Sequence, residues 1–115
     1  MRSYQERFLI RDGNKETLVQ VSDVEWIEAA DYYSCLHVGG RKHMLRESIK
    51  ELSNKLDPTQ FVRIHRSAIV PIRQVKEIHR DGRAEYFVVL QGGQRLRMSK
   101  AGWQNLIAAS GSPSN

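Results

Sequence analysis

The chain has 115 residues, a formal net charge of +5, 40% hydrophobic and 27% charged residues. This fits one domain that buries its own core, and it excludes a disordered chain. The lone cysteine, Cys35, excludes an intrachain disulfide and favours a reducing cytosol; no apolar run reaches membrane-span length, and the N-terminus lacks the apolar core of a signal peptide.

In chain order, Phe8–Ile10 begins a strand, Asp12-Gly13 signals a hairpin turn, and Thr17–Val21 is the return strand. Val24, Trp26 and Ile27 lead a third apolar stretch that closes at Asp31. Tyr32-Tyr33-Ser34 breaks it before Cys35–Val38 resumes a strand, in which Cys35 reads as a small buried side chain. Gly39-Gly40 turns the chain into Arg41–Leu45. Residues 48–56 change period. Ser48 and Glu51 match a capping box, Ile49, Leu52 and Leu56 share one helical face, and Asp57-Pro58 ends the helix.

Phe61–Ile72 follows, an apolar stretch interrupted by Arg63, His65, Arg66 and Ser67. It reads as a strand ending in donor-rich side chains. Ser67 is expected to cap a short helical turn that Pro71 limits, so that free N–H groups beside Arg66 suit an anion. Ile72, Val75 and Ile78 recur every three residues, which fits either a short helix or an irregular strand. Asp81-Gly82 is a turn, Glu85–Leu90 the most strand-like run, Gly92-Gly93 a turn, and Arg95–Met98 the returning strand. Ser99 reads as an N-cap, with Trp103, Leu106 and Ile107 giving the last helix an apolar face. Lys100 then falls in the first helical turn, where the helix dipole disfavours a cation unless an anion docks. Residues 1–110 are expected to form the domain, and 111–115 a flexible tail.

Charge is segregated. Residues 1–57 hold 9 Lys and Arg against 10 Asp and Glu, whereas residues 58–115 hold 9 against 3. A basic field confined to one half attracts polyanions.

Phe61-Val-Arg-Ile-His-Arg-Ser-Ala-Ile-Val70 closely resembles the signature of the LytTR DNA-binding domain, the usual output module of bacterial response regulators. The resemblance extends to the capped helix before the signature and to the hairpin, Ser99-Lys100 and short helix after it. One departure is Pro71, where the family commonly has Asn; a proline there removes an N–H and fixes φ. The resemblance implies a mainly β fold, a stack of small antiparallel sheets with short flanking helices. It implies sequence-specific binding of double-stranded DNA for transcription regulation, with loops inserted into successive major grooves at tandem repeat sites. Three segments would reach DNA: the loop Asp31–Ser34, the loop His65–Ser67 and the Ser99-Lys100 junction. Within them, Arg66 would pair with a guanine edge, His65 would donate to a base or phosphate, and Ser67 sits beside them. Lys100 suits a phosphate or guanine, Tyr33 and Ser34 would offer hydroxyls to phosphates, and Tyr32 is a packing residue. Arg83, in the Asp81-Gly82 turn, is expected to add only to the diffuse field. The resemblance also implies a cytoplasmic protein, a dimer on tandem repeats, and a regulatory domain in a longer parent chain, since this one starts abruptly at its first strand.

The competing readings are weaker. There is no nucleophile elbow, no phosphate-binding glycine loop and no metal-ligand spacing, and His37, His43, His65 and His79 are scattered. No enzyme activity, cofactor or metal is therefore expected. The alternative is a protein-interaction module of a regulator that has lost DNA binding. RNA binding lacks the exposed aromatic platforms it needs.

Overall fold

Short strands separated by glycine turns can bury their apolar faces only by stacking, and this chain stacks them in three layers. The computed structural model describes residues 3–82 and 85–111. Among them are ten strands and two α-helices: β1 (Arg7–Asp12), β2 (Lys15–Gln20), β3 (Trp26–Ala30), β4 (Tyr33–Val38), β5 (Arg41–Leu45), α1 (Ile49–Lys55), β6 (Phe61–His65), β7 (Ala68–Pro71), β8 (Val75–Arg80), β9 (Tyr86–Leu90), β10 (Arg95–Met98) and α2 (Lys100–Ser110). They build three antiparallel sheets, β1-β2, β5-β4-β3-β7-β6 and β10-β9-β8. The expected stack of small antiparallel sheets with short helices is what the chain forms.

The five-stranded sheet is the middle layer. The β1-β2 hairpin and α1 cover one face through a core that includes Phe8, Ile10, Val19, Ile27, Leu36, Ile49, Leu52, Phe61 and Ile69. The three-stranded sheet and α2 cover the β6-β7 part of the other face, packing Val62, Ile64, Ala68 and Val70 against Tyr86, Val88, Leu90, Met98 and Leu106. Strand β7 thus faces a core on each side, and all four of its residues are buried. This explains the unbroken apolar run Ala68–Val70, which alternation alone would not produce. Ile69 and Val70 each contribute roughly 1.5–3 kcal/mol by leaving water.

Local signals mostly act as expected. Ser48 Oγ accepts the Glu51 N–H at 3.1 Å and Glu51 Oε1 accepts the Ser48 N–H at 3.3 Å, completing the capping box of α1. Ser99 Oγ accepts the Gly102 N–H at 2.9 Å and caps α2. The ambiguous period-three stretch is both of its alternatives in succession, a 3-10 turn at Ile72–Gln74 and then β8, whose pairing with β9 shifts register between Val75 and Glu77.

Two expectations are corrected. Ser67 caps no helical turn. Arg66 and Ser67 are the two turn residues of the β6-β7 hairpin, and apolar pairing on both flanks holds the chain extended. Pro71 therefore limits no helix. It ends β7 opposite Phe61, beyond the two residues, Ala68 and Ile69, that pair with β3. The missing N–H costs little there, because no β3 residue lies opposite it. The break expected over Tyr32–Ser34 is also shorter. Only Asp31 and Tyr32 form the turn, and Tyr33 and Ser34 already belong to β4. Of the expected tail, residues 112–115 lie outside the described residues.

Candidate nucleic-acid interface

Antiparallel pairing of β3 with β7 puts the end of one strand beside the start of the other. The β3-β4 tip (Asp31-Tyr32) and the β6-β7 tip (Arg66-Ser67) therefore project side by side from one end of the middle sheet. A hydrogen bond from the Ala29 N–H to the Ser67 carbonyl, 2.8 Å, ties them. Asp31 takes a left-handed φ of +57°, a conformation that Asp tolerates better than most side chains.

The third segment is tied to the second through a bulge. Strand β6 slips register between Arg63 and His65, which frees the Ile64 carbonyl from the ladder. That carbonyl accepts the Ser99 N–H at 3.0 Å. Helix α2 starts there and lies so close to β6 that a Cβ on Gly102 would stand 1.9 Å from Ile64 O. Only glycine permits that approach. The three segments proposed from the resemblance thus converge at one end of the molecule, joined by main-chain bonds.

His65 Nδ1 lies 3.2 Å from the Ser67 backbone nitrogen and 2.8 Å from Ser67 Oγ. A backbone N–H can only donate, so Nδ1 is the acceptor. In the neutral ring the proton then sits on Nε2, making that edge the donor. Ser67 spends its hydroxyl on orienting His65. Arg63 braces the same turn, its Nη2 donating to the Arg66 carbonyl at 2.8 Å. The Arg66 side chain is exposed, and no acceptor among the described residues holds its guanidinium. Lys100 is exposed at the first position of α2, where Ser99 takes the Gly102 and Trp103 N–H groups, the Lys100 and Ala101 N–H groups have no intrahelical acceptor, and the first turn carries no acidic side chain.

Tyr33 is partly exposed, and the Arg46 guanidinium sits 6.0 Å from its ring centroid. Tyr32, expected to pack, is 88% exposed at the tip. Ser34 is the opposite case. It is fully buried, and its hydroxyl donates to the Glu47 carbonyl at 2.7 Å. Alternation turns Ser34 inward beneath Tyr33, so in this conformation its hydroxyl serves the fold and offers no surface to a phosphate. Arg83 lies outside the described residues.

Sequence reasoning missed Arg63, Arg46 and Gly102. Arg63 was legible only as a cation in an apolar run; its bracing role depends on the two-residue turn. Arg46 depends on the β4-β5 register, which pairs Leu45 with Ser34 and so puts the next residue, Arg46, beside Tyr33. Gly102, three residues past an N-cap, carried a signal, since a glycine inside a helix costs stability unless something approaches its backbone.

The chain is similar to known proteins. The family model of the LytTr DNA-binding domain matches residues 14–110. A response regulatory protein of Vibrio cholerae is 35% identical over 82 residues, covering 68% of this chain and 31% of that protein. The transcriptional regulatory protein LytR of Staphylococcus aureus is 28% identical over 76 residues, 66% of this chain and 31% of that protein. The CO-responsive transcriptional regulator RcoM of Rhodospirillum rubrum is 34% identical over 64 residues, 56% of this chain and 27% of that protein. The chain therefore spans under a third of the length of these relatives. A solved LytTr DNA-binding domain from Bacillus cereus superposes with a TM-score of 0.81 at 21% identity, covering 94% of this chain and 99% of that one, a likeness of fold.

Proposed function

Since the chain belongs to the LytTR DNA-binding domain family, we propose that it binds double-stranded DNA sequence-specifically, through three segments that enter successive major grooves. The observation that carries this reading is the pair of main-chain ties, Ser67 O to Ala29 N and Ile64 O to Ser99 N. They fix two hairpin tips and a helix N-terminus in one rigid array, and rigid placement is what base readout demands. Arg66 is the base reader, able to give two parallel N–H bonds to O6 and N7 of a guanine. His65 Nε2–H donates to a base edge or a phosphate, and Ser67 fixes that tautomer. Lys100 and the first N–H groups of α2 take a phosphate or a guanine. Tyr33 and Tyr32 offer hydroxyls to the backbone, and Ser34 holds their strand in place. The parent protein is proposed to be a cytoplasmic transcription regulator that couples this domain to a signal-receiving one, as the names of the relatives suggest. No helix among the described residues is long and apolar enough to cross a membrane.

Electrophoretic mobility shift on sites selected from a random duplex library tests the reading directly. The basic excess of residues 58–115 sets the salt response. With about five phosphates neutralised, log K should fall against log salt with a slope of roughly −4 to −5. A slope near zero in that titration removes the electrostatic basis.

Two copies are expected on one site, arranged as tandem repeats about one helical turn apart, roughly ten base pairs, or a multiple of it. One copy offers three short segments, which cover little DNA. Footprinting at saturation that protects a single isolated half-site would contradict this arrangement.

A further inference from the structure

The β3-β4 part of the middle sheet has a face that the third layer leaves largely uncovered. Glu28 on β3 pairs with Cys35 on β4, and His37 stands two residues along from Cys35, so all three lie on that face. One ligating atom from each, a carboxylate oxygen, Sγ and a ring nitrogen, lies within 4.8 Å of the other two. We propose that Glu28, Cys35 and His37 form a binding site for a borderline-soft divalent cation of the zinc class, three protein ligands with a coordination position left open to solvent.

Each ligand type argues for this class. A thiolate with an imidazole selects zinc-like ions over magnesium or calcium, and the carboxylate disfavours Cu(I). Around a tetrahedral zinc, with Zn–S about 2.3 Å and Zn–N or Zn–O about 2.0–2.2 Å, ligand atoms stand roughly 3.3–3.8 Å apart. The observed cluster needs only small side-chain shifts to reach that spacing. His37 Nε2 and Glu28 Oε1 are 2.8 Å apart, a hydrogen bond that the ion would replace. Access and order are both provided. Cys35 is 4% exposed, while the side chains of His37 and Glu28 are 16% and 38% exposed, so an ion can enter past Glu28. Trp26 stacks on the His37 ring at 4.0 Å and 5° and fixes its plane. Sequence spacing could not show this site, since one ligand comes from a different strand.

The test is titration of the 115-residue chain with Co(II), followed by displacement with Zn(II). One Co(II) per chain should bind, with a thiolate-to-cobalt charge-transfer band in the near ultraviolet that Zn(II) abolishes. Cys35→Ser should remove the band. Glu28→Gln and His37→Gln should each weaken binding at least about tenfold while keeping the far-ultraviolet circular dichroism of the parent. His43→Gln, on the opposite face of the sheet, should bind as the parent does. The proposal is overturned if no charge-transfer band develops, if the band survives Cys35→Ser, or if His43→Gln weakens binding as much as His37→Gln. Should Cys35→Ser fail to fold, the two glutamine variants on β3 and β4, read against His43→Gln, decide it.

Discussion

Arg66→Ala is expected to cost about 1–3 kcal/mol of affinity for the best DNA site and to flatten preference at one base position. The expectation rests on how the turn is built. Arg63 holds the Arg66 carbonyl, and Ser67 is fixed through His65 and Ala29, so the backbone of residue 66 is set by its neighbours. Among the described residues the Arg66 side chain has no hydrogen-bond partner. Its removal should leave thermal stability within about 0.5 kcal/mol of the parent. Arg41 is a control of equal charge. It is exposed beside the Gly39-Gly40 turn, at the other end of the middle sheet from the two tips. Arg41→Ala should lower affinity slightly and equally for all sequences. Binding of both variants to the best site and to its single-base variants separates the cases. Equal losses, or an unchanged base profile for Arg66→Ala, would reduce Arg66 to one charge in a diffuse field.

Gly102→Ala should be the more damaging change to the fold. The added methyl would collide with backbone, the Ile64 carbonyl, and not with the yielding end of a side chain. To relieve the contact, α2 must lift from β6. That breaks the Ser99 N–H bond to Ile64 O and opens the packing of Leu106 in the second core. A loss of about 3 kcal/mol follows, at the upper end of overpacking costs. For a domain of this size the melting midpoint should fall on the order of 10 °C. The higher helix propensity of alanine opposes this by only about 1 kcal/mol. Below the new midpoint, DNA affinity should fall as well, because Lys100 rides on the displaced end of the helix. Calorimetry and a binding titration at low temperature measure the two effects. A variant as stable as the parent would show that α2 has room to spare against β6.

Much of this arrangement was legible before any coordinates. Strands β5 and β10 fell where alternation and paired glycines put them, and both helix N-caps were readable because an N-cap is a local device. The legible parts are those that two to six neighbouring residues determine. Ser67 shows where local reading stops. Serine ahead of a proline looks like a cap, and in isolation the segment has no reason to do otherwise. Pairing with β3 and β6, strands more than thirty residues apart, overrides that preference and makes a two-residue turn. Ser34 shows the same limit on the site. Tyr33 and Ser34 are equivalent as hydroxyl donors in the sequence, yet the strand starts at Tyr33 and its two-residue period sends one outward and the other under the sheet. The cluster of Glu28, Cys35 and His37 depends on register across strands, which no spacing along the chain encodes.

The ties between Ala29 and Ser67 and between Ile64 and Ser99 join positions 38 and 35 residues apart in the chain. The three proposed segments are therefore brought together by non-local links, and no short fragment of the chain contains them all. A nascent chain should acquire this arrangement only when Ser99 and α2 are available to dock on β6. Under the proposed function, competence for DNA should then arise only once all three segments are in place. The same geometry marks where the chain tolerates being cut. New termini at the Gly39-Gly40 turn would open the covalent chain at the far end of the sheet and leave both ties intact, whereas a break between Ile64 and Ser67 would sever the β6-β7 tip.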